Sequence, residues 1–560
     1  MTHSNDGVSQ SVMKDKLLLS ESKNVTVDSV LKQCGDFGRF QWFHYFFLNL
    51  LQISAGAVAF YYVYGAAEPE HRCRLPSSIW QNDNQYNPVN STLKSLIDKY
   101  IPISNGKWDK CHIWDSNRRL VDCPNGWVFD RHIYGFTFTE EAYLVCHTKG
   151  KKSWISTVMH IAGFTLLIVG PLADRFGRKT MIIFLTLTLF LICLLLQSLM
   201  QWVPMSIHVK FSLLVLNQFI LGLTAPIGSL VFVLMLELTS YSYRSLVGTI
   251  AVTCFAFGEA LATLFAYITK NWQNNLWSIT IFIGLSSIYL YFINESPMYL
   301  HSKKKYIQLE NVLRQISKRN GKKEDDWNSS LKELLNQEQI NHVKIPFKEK
   351  ILKLITNRIL IQRFIITSII AFTGMLLFIK ISYGLAVMNI SPYIAMTIGS
   401  IVEICGYISA NIVMSGRLGR KYSFMMFTGL TSLCVFLIPL LTKRSTIGTV
   451  IISQFGKFSI SASMAITWIY ISELFPTSIR SSANGFAVAV SRIGAILAPV
   501  IDANIDEHYL SITFYIYAAL ALLVVLLTCL LPETKNVPLT DRIDSRNNQE
   551  SIPPPSTQIQ

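Results

Sequence analysis

The stretch "GPLADRFGRKT" at residues 170–180 separates two nearly uncharged segments, residues 154–170 and 181–200. Each segment is about as long as a helix that crosses the core of a bilayer, which takes about 20 residues. The charged link therefore predicts a tight turn at a membrane surface, where its basic residues hold it in the cytoplasm. A near-copy, "SGRLGRKY" at 415–422, keeps the basic residues but has Gly416 where the first copy has an acid.

Apolar segments of similar length recur along most of the chain. Hydrophobic residues make up 51% of it and charged residues only 15%, and the mean hydropathy is +0.35. The sequence therefore predicts a polytopic membrane protein with twelve spans. They are predicted near residues 41–64, 153–173, 181–201, 211–236, 247–269, 276–293, 359–381, 391–414, 423–441, 447–471, 483–503 and 510–531.

The net charge of +15 does not indicate nucleic-acid binding. Most basic residues lie at the ends of apolar segments or in residues 299–358, which hold fourteen Lys and Arg against seven Asp and Glu. Cytoplasmic segments of membrane proteins carry an excess of Lys and Arg, and the basic residues here follow this positive-inside rule. Nucleic-acid binding instead needs a basic groove interleaved with aromatic residues. We therefore expect the lipid bilayer, and no nucleic acid, among the partners. Residues 1–38 are polar, so we expect no cleavable signal peptide before the first span.

Two long inserts, residues 66–152 and 294–358, interrupt the series of spans. The first contains the glycosylation motif Asn90-Ser91-Thr92 and four of the ten cysteines of the chain. Clustered cysteines predict two disulfides, with three possible pairings, in an oxidising compartment. We therefore expect this insert to be extracellular and glycosylated at Asn90, and both termini to be cytoplasmic. The four cysteines are Cys73, Cys111, Cys123 and Cys146.

The second insert divides the chain into two groups of six spans. The predicted domains are a cytoplasmic segment at 1–40, a six-helix bundle at 41–293 that includes the loop 66–152, a cytoplasmic linker at 294–358, a second six-helix bundle at 359–531, and a cytoplasmic tail at 532–560.

The two groups of spans share sequence motifs at matching places. The charged link occurs after the second span of each group, and a second motif follows the fourth span of each group, as "ELTSYSYR" at 237–244 and "ELFPTSIR" at 473–480. Internal symmetry of this kind is typical of transporters whose halves rock about a central substrate site. We interpret the charges as a latch that forms in one of the two rocking states. Topological anchoring alone explains the basic residues but not the acid.

The residues of this predicted latch are Asp174, Arg175, Gly177, Arg178, Glu237, Arg244, Arg417, Arg420, Glu473 and Arg480. Because Gly416 stands in place of the acid, we expect the latch of the second half to be the weaker one.

Several motifs resemble those of a known family. "GPLADRFGRK" is similar to the signature of the major facilitator superfamily, and "GDFGRFQ" (35–41), "EHRCRLP" (70–76), "NESPMYL" (294–300) and "LPET" (531–534) resemble the organic cation and carnitine transporters of solute carrier family 22. "IVEICGY" (401–407), "GKFSISASM" (456–464) and "SRIGAILAP" (491–499) resemble its carnitine and ergothioneine branch. The resemblance implies an all-α membrane protein of twelve transmembrane helices in two six-helix pseudo-repeats, with a large extracellular loop after the first helix.

Charged residues inside spans are costly and point to function. Glu259 has no obvious partner in the sequence, Lys380 lies near the end of a span from which it can reach the surface, and Lys457 can neutralise Glu403 as a structural pair. Arg492 lies in a matched family motif where cation-selective relatives tend to carry an acid. The predicted substrate-binding residues are Glu259, Lys380, Glu403, Arg492 and two aromatic residues near charges, Tyr407 and Trp468.

The sequence predicts a secondary transporter that moves small organic ions, cations or carnitine-like zwitterions, across the plasma membrane. The alternatives are an organic anion transporter, a sugar porter, or a sensor on the same scaffold. An enzyme is not indicated, because the chain has no nucleotide-binding loop, no metal-ligand cluster and no nucleophile motif. We expect no cofactor apart from a coupling ion, Na⁺ or H⁺, and the sequence does not indicate an oligomeric state.

Overall fold

The structure is a computed structural model that describes residues 26–104, 106–115, 117–338, 357–385, 390–442, 444–475, 477–505 and 509–535. Within these ranges, twelve helical segments are long and apolar enough to cross a membrane. They are Arg39–Gly65, Cys146–Phe176, Arg178–Trp202, Ile207–Glu237, Tyr241–Thr269, Trp272–Phe292, Arg358–Gly384, Pro392–Ser415, Gly419–Thr442, Thr446–Leu474, Ala483–Asn504 and Ser511–Thr528, numbered here as spans 1 to 12.

Each span lies over the segment that hydropathy predicts, with ends that differ by several residues. Span 2 shows why the ends were hard to predict, since it joins a 3₁₀ turn Cys146–Lys152, a helix Ser153–Ala162, a second 3₁₀ turn Gly163–Thr165 and a helix Leu166–Phe176. The helix of span 11 begins earlier than its apolar part, at Thr477. The twelve helices confirm the predicted all-α membrane fold.

The chain divides into two compact units. The smaller unit consists of Met1–Phe46, Val233–Val247 and Asn294–Ile345, and the larger unit contains the rest. The described helices of the smaller unit outside the spans are Val27–Gln33, Pro297–Ser302, Tyr306–Arg319 and Asp325–Glu338. The linker is thus helical as far as residue 338, and the tail beyond residue 535 lies outside the described residues.

Asn320 organises the smaller unit around the motif "GDFGRFQ". Its side-chain oxygen accepts a hydrogen bond from the backbone N–H of Phe40 at 2.9 Å, and its amide donates to the carbonyl of Cys34 at 3.2 Å. A Cβ atom at Gly38 would lie 2.3 Å from the Asn320 oxygen, so this position needs glycine. Gly38 is therefore a contact point between this motif and Asn320.

The insert after span 1 forms a small folded region of the larger unit. It contains the helices Ser91–Tyr100 and Phe138–Glu141 and six short strands, β1 His71–Cys73, β2 Ile103–Ser104, β3 Lys107–Trp108, β4 His112–Trp114, β5 Leu120–Asp122 and β6 Trp127–Phe129. They pair antiparallel as β1 with β6, β2 with β3 and β4 with β5. The predicted cysteines pair as Cys73–Cys123 and Cys111–Cys146.

Buried charges help to hold this region in place. Arg72 and Asp83 are fully buried and pair at 2.5 Å. Glu68 lies at the base of the region, where burial alone would raise the pKa of its carboxyl, but Lys152 at 2.9 Å and Lys149 outweigh burial and lower that pKa to about 2. The carboxylate of Glu68 therefore ties the insert to the start of span 2 at neutral pH. We call the end of the larger unit that carries this insert the loop side.

Candidate functional site

The centre of the candidate site is a buried group of three charged side chains from three different spans. The ammonium of Lys457 in span 10 pairs with the carboxylate of Glu259 in span 5 and lies 3.3 Å from the carboxylate of Glu403 in span 8. All three side chains are fully buried. We call Glu259, Glu403 and Lys457 the charge triad.

Glycines allow the helices that carry the triad to approach each other. A Cβ atom at Gly258, next to Glu259, would lie 2.1 Å from the carbonyl of Ile53 in span 1. A Cβ atom at Gly56 would lie 2.1 Å from the carbonyl of Phe255 in span 5. Because both positions leave no room for a side chain, spans 1 and 5 pack backbone to backbone beside Glu259.

The same arrangement occurs between spans 8 and 10. Gly399 and Gly406 lie four residues before and three residues after Glu403, so all three share one helix face. A Cβ atom at Gly399 would lie 3.2 Å from the nitrogen of Lys457, and one at Gly406 would lie 2.7 Å from the carbonyl of Phe458. The sequence "GSIVEICG" thus provides a carboxylate with room on either side for the lysine and its helix.

Aromatic rings complete the surroundings of the ammonium. The ring centroid of Phe60 lies 5.3 Å from the Lys457 nitrogen, within the range of a cation–π contact. Phe60 itself meets Tyr383 edge to face at 6.1 Å. The hydroxyl of Tyr407 donates to Glu403 at 2.7 Å, so Tyr407 borders the charge triad.

Two other aromatic residues of spans 8 to 10 lie elsewhere. Trp468 packs against an apolar cluster of spans 7, 9, 10, 11 and 12. The hydroxyl of Tyr470 donates to the carbonyl of Pro532 at 2.8 Å, beyond the end of span 12. Trp468, which we predicted as a substrate-binding residue, has no described contact with the charge triad.

Lys380 does not extend to the surface, which was one of the two alternatives for it. It is buried and pairs with Asp502 of span 11, and its nitrogen lies 4.9 Å from the ring centroid of Phe514. Asp502 was not among the predicted site residues, although it lies one residue inside the predicted end of its span. The pair neutralises both charges near the loop side.

Arg492 faces span 2 and not the charge triad. A Cβ atom at Gly163 would lie 2.8 Å from the Nε atom of Arg492, and His160, one helical turn before Gly163, lies within electrostatic reach of the guanidinium. The Nε atom of Arg492 and the Nε2 atom of His160 are buried, and neither has a hydrogen-bond partner among the described residues. Two basic side chains thus lie close together, and these two nitrogen atoms have no hydrogen-bond partner among the described residues.

Contacts between the two halves close the loop side of the site. The ring of Tyr64 in span 1 stacks on Tyr393 in span 8 at 5.4 Å, and the hydroxyl of Tyr383 donates to the carbonyl of Ala59 at 2.7 Å. Spans 2 and 11 also pack against each other. Tyr383, Tyr393 and span 11 belong to the second half, so these contacts join the halves above the triad.

The first charged link turns at Gly177, whose φ of 110° is open to glycine but costly for other residues. Asp174 pairs with Arg178 of the same link at 2.8 Å and is 66% exposed. Arg175 lies over the ring of Phe176 at 5.4 Å. In this state the acid of the predicted latch is therefore engaged within its own link.

The second link obtains its acid from another part of the chain. The carboxylate of Glu533 accepts hydrogen bonds from the backbone N–H groups of Arg420 at 2.9 Å and Lys421 at 3.0 Å, just after Gly419 with its φ of 75°. Lys535 donates to the carbonyl of Ser415 at 3.2 Å. The expectation of a weaker latch at Gly416 overlooked this carboxylate, which follows span 12 in the motif "LPET".

The second motif pair is engaged in each half. Arg420 lies 3.3 Å from Glu473, and the hydroxyl of Thr534 donates to the same carboxylate at 2.6 Å. In the smaller unit, Arg244 pairs with Asp28 at 2.7 Å. Glu237 has further contacts, Arg417 lines a surface depression of about 540 Å³, and the side chain of Arg480 lies outside the described residues.

Comparison with known proteins identifies the family. The family profile described as sugar (and other) transporter matches residues 123–543. The chain belongs to the sugar (and other) transporter family. This family consists of transporters and not of enzymes, as the sequence predicted.

The curated proteins similar to this transporter are members of solute carrier family 22. It is 27% identical to mouse solute carrier family 22 member 21, over 94% of each chain, and 27% identical to human organic cation/carnitine transporter 2, over 92% of this chain and 93% of the relative. These similarities confirm the resemblance seen in the motifs.

The fold of the transporter matches that of solved major facilitator structures. The inward open conformation of the xylose transporter XylE from E. coli aligns with a TM-score of 0.59 over 88% of this chain and 97% of the other, at 15% identity. At this identity the match establishes the fold alone, and it confirms the two groups of six helices.

Some site residues were not predicted. Phe60 lies in the run "FYYVY" at 60–64, and an aromatic run in the first span was the available signal. His160 and Asp502 are single titratable residues within predicted spans, and that position in a span was the available signal. The contact between Glu259 and Lys457 joins residues 198 positions apart, and no periodicity predicts it.

Proposed function

We propose that this transporter moves small organic ions that carry a positively charged group, either cations or carnitine-like zwitterions, across the plasma membrane by alternating access. Both termini lie in the cytoplasm and the insert 66–152 is extracellular in this proposal. Four cysteines paired as two disulfides in the insert support that orientation, because disulfides persist in oxidising compartments.

The observation that carries this proposal is the set of groups around the Lys457 ammonium. Two carboxylates and the face of Phe60 surround one positive charge in a water-excluded place. A substrate ammonium needs the same groups, since carboxylates supply charge attraction and an aromatic ring supplies cation–π attraction. The lysine side chain therefore marks the place where a substrate cation is stabilised.

The pair of Arg492 and His160 supports the zwitterion form of the proposal. Their buried nitrogen atoms have no hydrogen-bond partner among the described residues, and leaving buried donors unsatisfied is costly. A substrate carboxylate is a suitable acceptor for a guanidinium. The name of the human relative, organic cation/carnitine transporter 2, refers to substrates of the cationic and the zwitterionic kind.

The contacts on the loop side support alternating access. The stacked pair Tyr64 and Tyr393 and the packing of spans 2 and 11 join the two halves there. For a substrate to enter from the loop side, these contacts have to separate while contacts on the opposite side form. The structure is closed on the loop side, which is the outside in the orientation that we propose.

Three other functions are compatible with parts of these observations. Arg492, which has no ion pair among the described residues, would also suit an organic anion. The family name includes sugars, but the charge triad lies where a sugar would require neutral hydrogen-bonding groups. A sensor that binds without transporting would share every contact described, and only a flux measurement separates it from a transporter.

The proposal is tested by uptake of labelled carnitine, choline-like cations and organic anions into cells that express the transporter, with and without sodium. We expect uptake of the cations or the zwitterion to exceed that of the anions. Phe60→Leu removes the aromatic face and should raise the KM for quaternary ammonium compounds several-fold, whereas Phe60→Tyr keeps the face and should not. Preferred uptake of anions, or binding without uptake, would contradict the proposal.

A further inference from the structure

The insert 66–152 contacts both groups of six spans on the loop side. The hydroxyl of Tyr393, at the start of span 8, donates to the backbone carbonyl of Ile133 in the insert at 3.1 Å. We call the contacts of Tyr383 and Tyr393 with the first half the outer gate. We propose that the insert is a moving part of this gate, which is carried by the first half and releases Tyr393 each time the loop side opens. This inference rests on the proposed function, because it requires the loop side to open during transport.

Backbone contacts fix the segment that contains Ile133 to the first half. The backbone N–H of Phe136 donates to the carbonyl of Lys270 at 3.0 Å, and the N–H of Trp272 donates to the carbonyl of Phe136 at 3.0 Å. A Cβ atom at Gly135 would lie 2.1 Å from the carbonyl of Lys270, so the two chain segments are in direct contact. This part of the insert is therefore held on the link between spans 5 and 6.

An ion pair and a disulfide attach other parts of the insert to the same half. Glu141 pairs with Lys210 of span 4, and its carboxylate also accepts a hydrogen bond from the indole N–H of Trp272 at 2.7 Å. Cys111 is bonded to Cys146, the first residue of span 2. The insert thus has firm connections to spans 2, 4 and 6, and we expect it to move with them.

Tyr393 occupies a slot that the insert and the first half form together. Its ring stacks on Tyr64 of span 1 at 5.4 Å and meets Tyr267 of span 5 edge to face at 5.3 Å. Its hydroxyl contacts the insert at Ile133. Because Tyr393 belongs to the second half and these three partners do not, opening of the loop side has to withdraw the tyrosine from the slot.

The two sets of contacts differ in strength. A disulfide, an ion pair and paired backbone groups join the insert to the first half. The slot holds Tyr393 by ring contacts and one hydrogen bond at an exposed position. Single hydrogen bonds and aromatic pairs are individually weak. When the halves separate, the contacts of Tyr393 are therefore the ones that break, and the insert stays with the first half.

A reporter cysteine below the gate measures how often it opens. Ala59→Cys lies in span 1, where the carbonyl of residue 59 accepts the hydrogen bond from Tyr383. The full chain with this cysteine is expressed in cells, and a membrane-impermeant thiol reagent is applied from outside. The rate of labelling, after subtraction of the rate without the reporter, then follows the population that is open on the loop side.

Tyr393→Phe keeps the ring contacts and removes the bond to the insert. We expect it to raise the labelling rate several-fold, because loss of one hydrogen bond shifts an equilibrium by that amount, and we expect Tyr393→Ala to raise the rate further. Tyr515→Phe is the same change in span 12 and should leave the rate unchanged. A normal rate in Tyr393→Phe beside a raised rate in Tyr393→Ala would overturn the role of the insert, since the rings alone would then hold the gate.

Crosslinking tests whether the insert has to release span 8. Ile133→Cys, at a partly exposed position, is combined with Tyr393→Cys, and a short bifunctional thiol reagent that mild reductant cleaves joins the two. We expect uptake of labelled tetraethylammonium to stop after crosslinking and to return after reduction. Ile133→Cys combined with Lys270→Cys is the control, because both positions lie on the first half and the crosslinked protein should keep its uptake.

Uptake at the normal rate by the protein crosslinked between residues 133 and 393 would show that the insert and span 8 do not separate, which overturns the proposal. If Tyr393→Cys does not reach the cell surface, Ser391→Cys in the same turn of chain takes its place. Labelling of the reporter cysteine needs no substrate. Failure of every labelled cation to enter the unmodified protein would therefore contradict the proposed function, while the labelling rates still decide the role of the insert.

Discussion

Glu533 caps the start of span 9 by accepting a hydrogen bond from the backbone N–H of Arg420 at 2.9 Å. Its other carboxylate oxygen accepts from the N–H of Lys421 at 3.0 Å. The first four N–H groups of a helix have no partner within the helix, and a negative charge at that end is favourable. The first link thus contains its own acid, Asp174, whereas the acid of the second link, Glu533, comes from the segment after span 12.

We expect Glu533→Ala to lower the thermal stability of the purified transporter, because it leaves two helix N–H groups without an acceptor. Loss of such a cap costs about 1 kcal/mol. Glu533→Gln keeps one acceptor oxygen and should have an intermediate effect. Melting in detergent is compared with that of Glu310→Ala, which removes an exposed carboxylate. Equal melting of Glu533→Ala and the unmodified protein would show that the cap does not stabilise the helix.

The repeat predicted the positions of both links, and the first link predicted its tight turn, because local sequence determines where a helix must end. It did not predict the partner of the second link. Glu533 follows Gly416 by more than a hundred residues, and only the return of span 12 beside span 9 brings them together. A missing acid in one motif copy is therefore not evidence for a missing interaction.

Asp174 pairs with Arg178 at 2.8 Å, but its side chain is two-thirds exposed. Exposed pairs of this kind contribute only a few tenths of a kcal/mol, so Asp174→Asn should leave folding and surface expression unchanged. If the acid acts as a latch in the other rocking state, the substitution lowers the maximal uptake rate more than it changes the KM. Asp174→Glu should retain most of the rate.

Uptake kinetics, normalised to transporter at the cell surface, provide the measurement. Gly416→Asp is the companion variant in the second link, and we expect a mild change because Glu533 already supplies a carboxylate there. A normal rate for Asp174→Asn would show that the pair with Arg178 is only local and that the latch interpretation is wrong.

Asn90 is exposed and begins the helix Ser91–Tyr100, and its side-chain oxygen accepts a hydrogen bond from the hydroxyl of Thr92 at 2.6 Å. We expect the protein from animal cells to carry a glycan at Asn90, so that glycosidase treatment increases its gel mobility. Asn90→Gln should abolish the shift. Asn328→Gln alters another such motif, in the linker that we place in the cytoplasm, and should leave the shift intact. A glycosidase shift that persists in Asn90→Gln but disappears in Asn328→Gln would reverse the proposed topology.

The sequence also predicted part of the candidate site. Glu259, Lys380, Glu403 and Arg492 were predicted because they are charged residues inside spans. Burying a charge in a membrane is costly, so such residues usually serve a function. The partners of these charges depend on how the helices pack. Glycines such as Gly258 influence that packing because they allow two helix backbones to come into contact. Glu259, for which the sequence offered no partner, pairs with Lys457 of span 10.

Arg492 and Glu403 contact different groups in the larger unit. Arg492 faces His160 and span 2, whereas Glu403 pairs with Lys457 and Tyr407. A zwitterion can present its carboxylate to Arg492 and its ammonium to the triad, but a simple cation has no group to offer Arg492. We therefore expect Arg492→Ala to reduce carnitine uptake strongly while sparing or improving uptake of tetraethylammonium, because like charges repel in a low-dielectric site.

Arg492→Lys retains the charge but lacks the planar fork that binds a carboxylate through two hydrogen bonds, so it should also lower carnitine uptake. Glu403→Gln should have the opposite selectivity and reduce uptake of the simple cation at least as strongly as uptake of carnitine. The ratio of the two uptakes in each variant, corrected for surface expression, is the measurement. His160→Gln, which keeps a polar group beside Arg492, should reduce carnitine uptake less than Arg492→Ala does. An equal loss of both substrates in all of these variants would mean that the residues hold the helices together and do not distinguish substrates by charge.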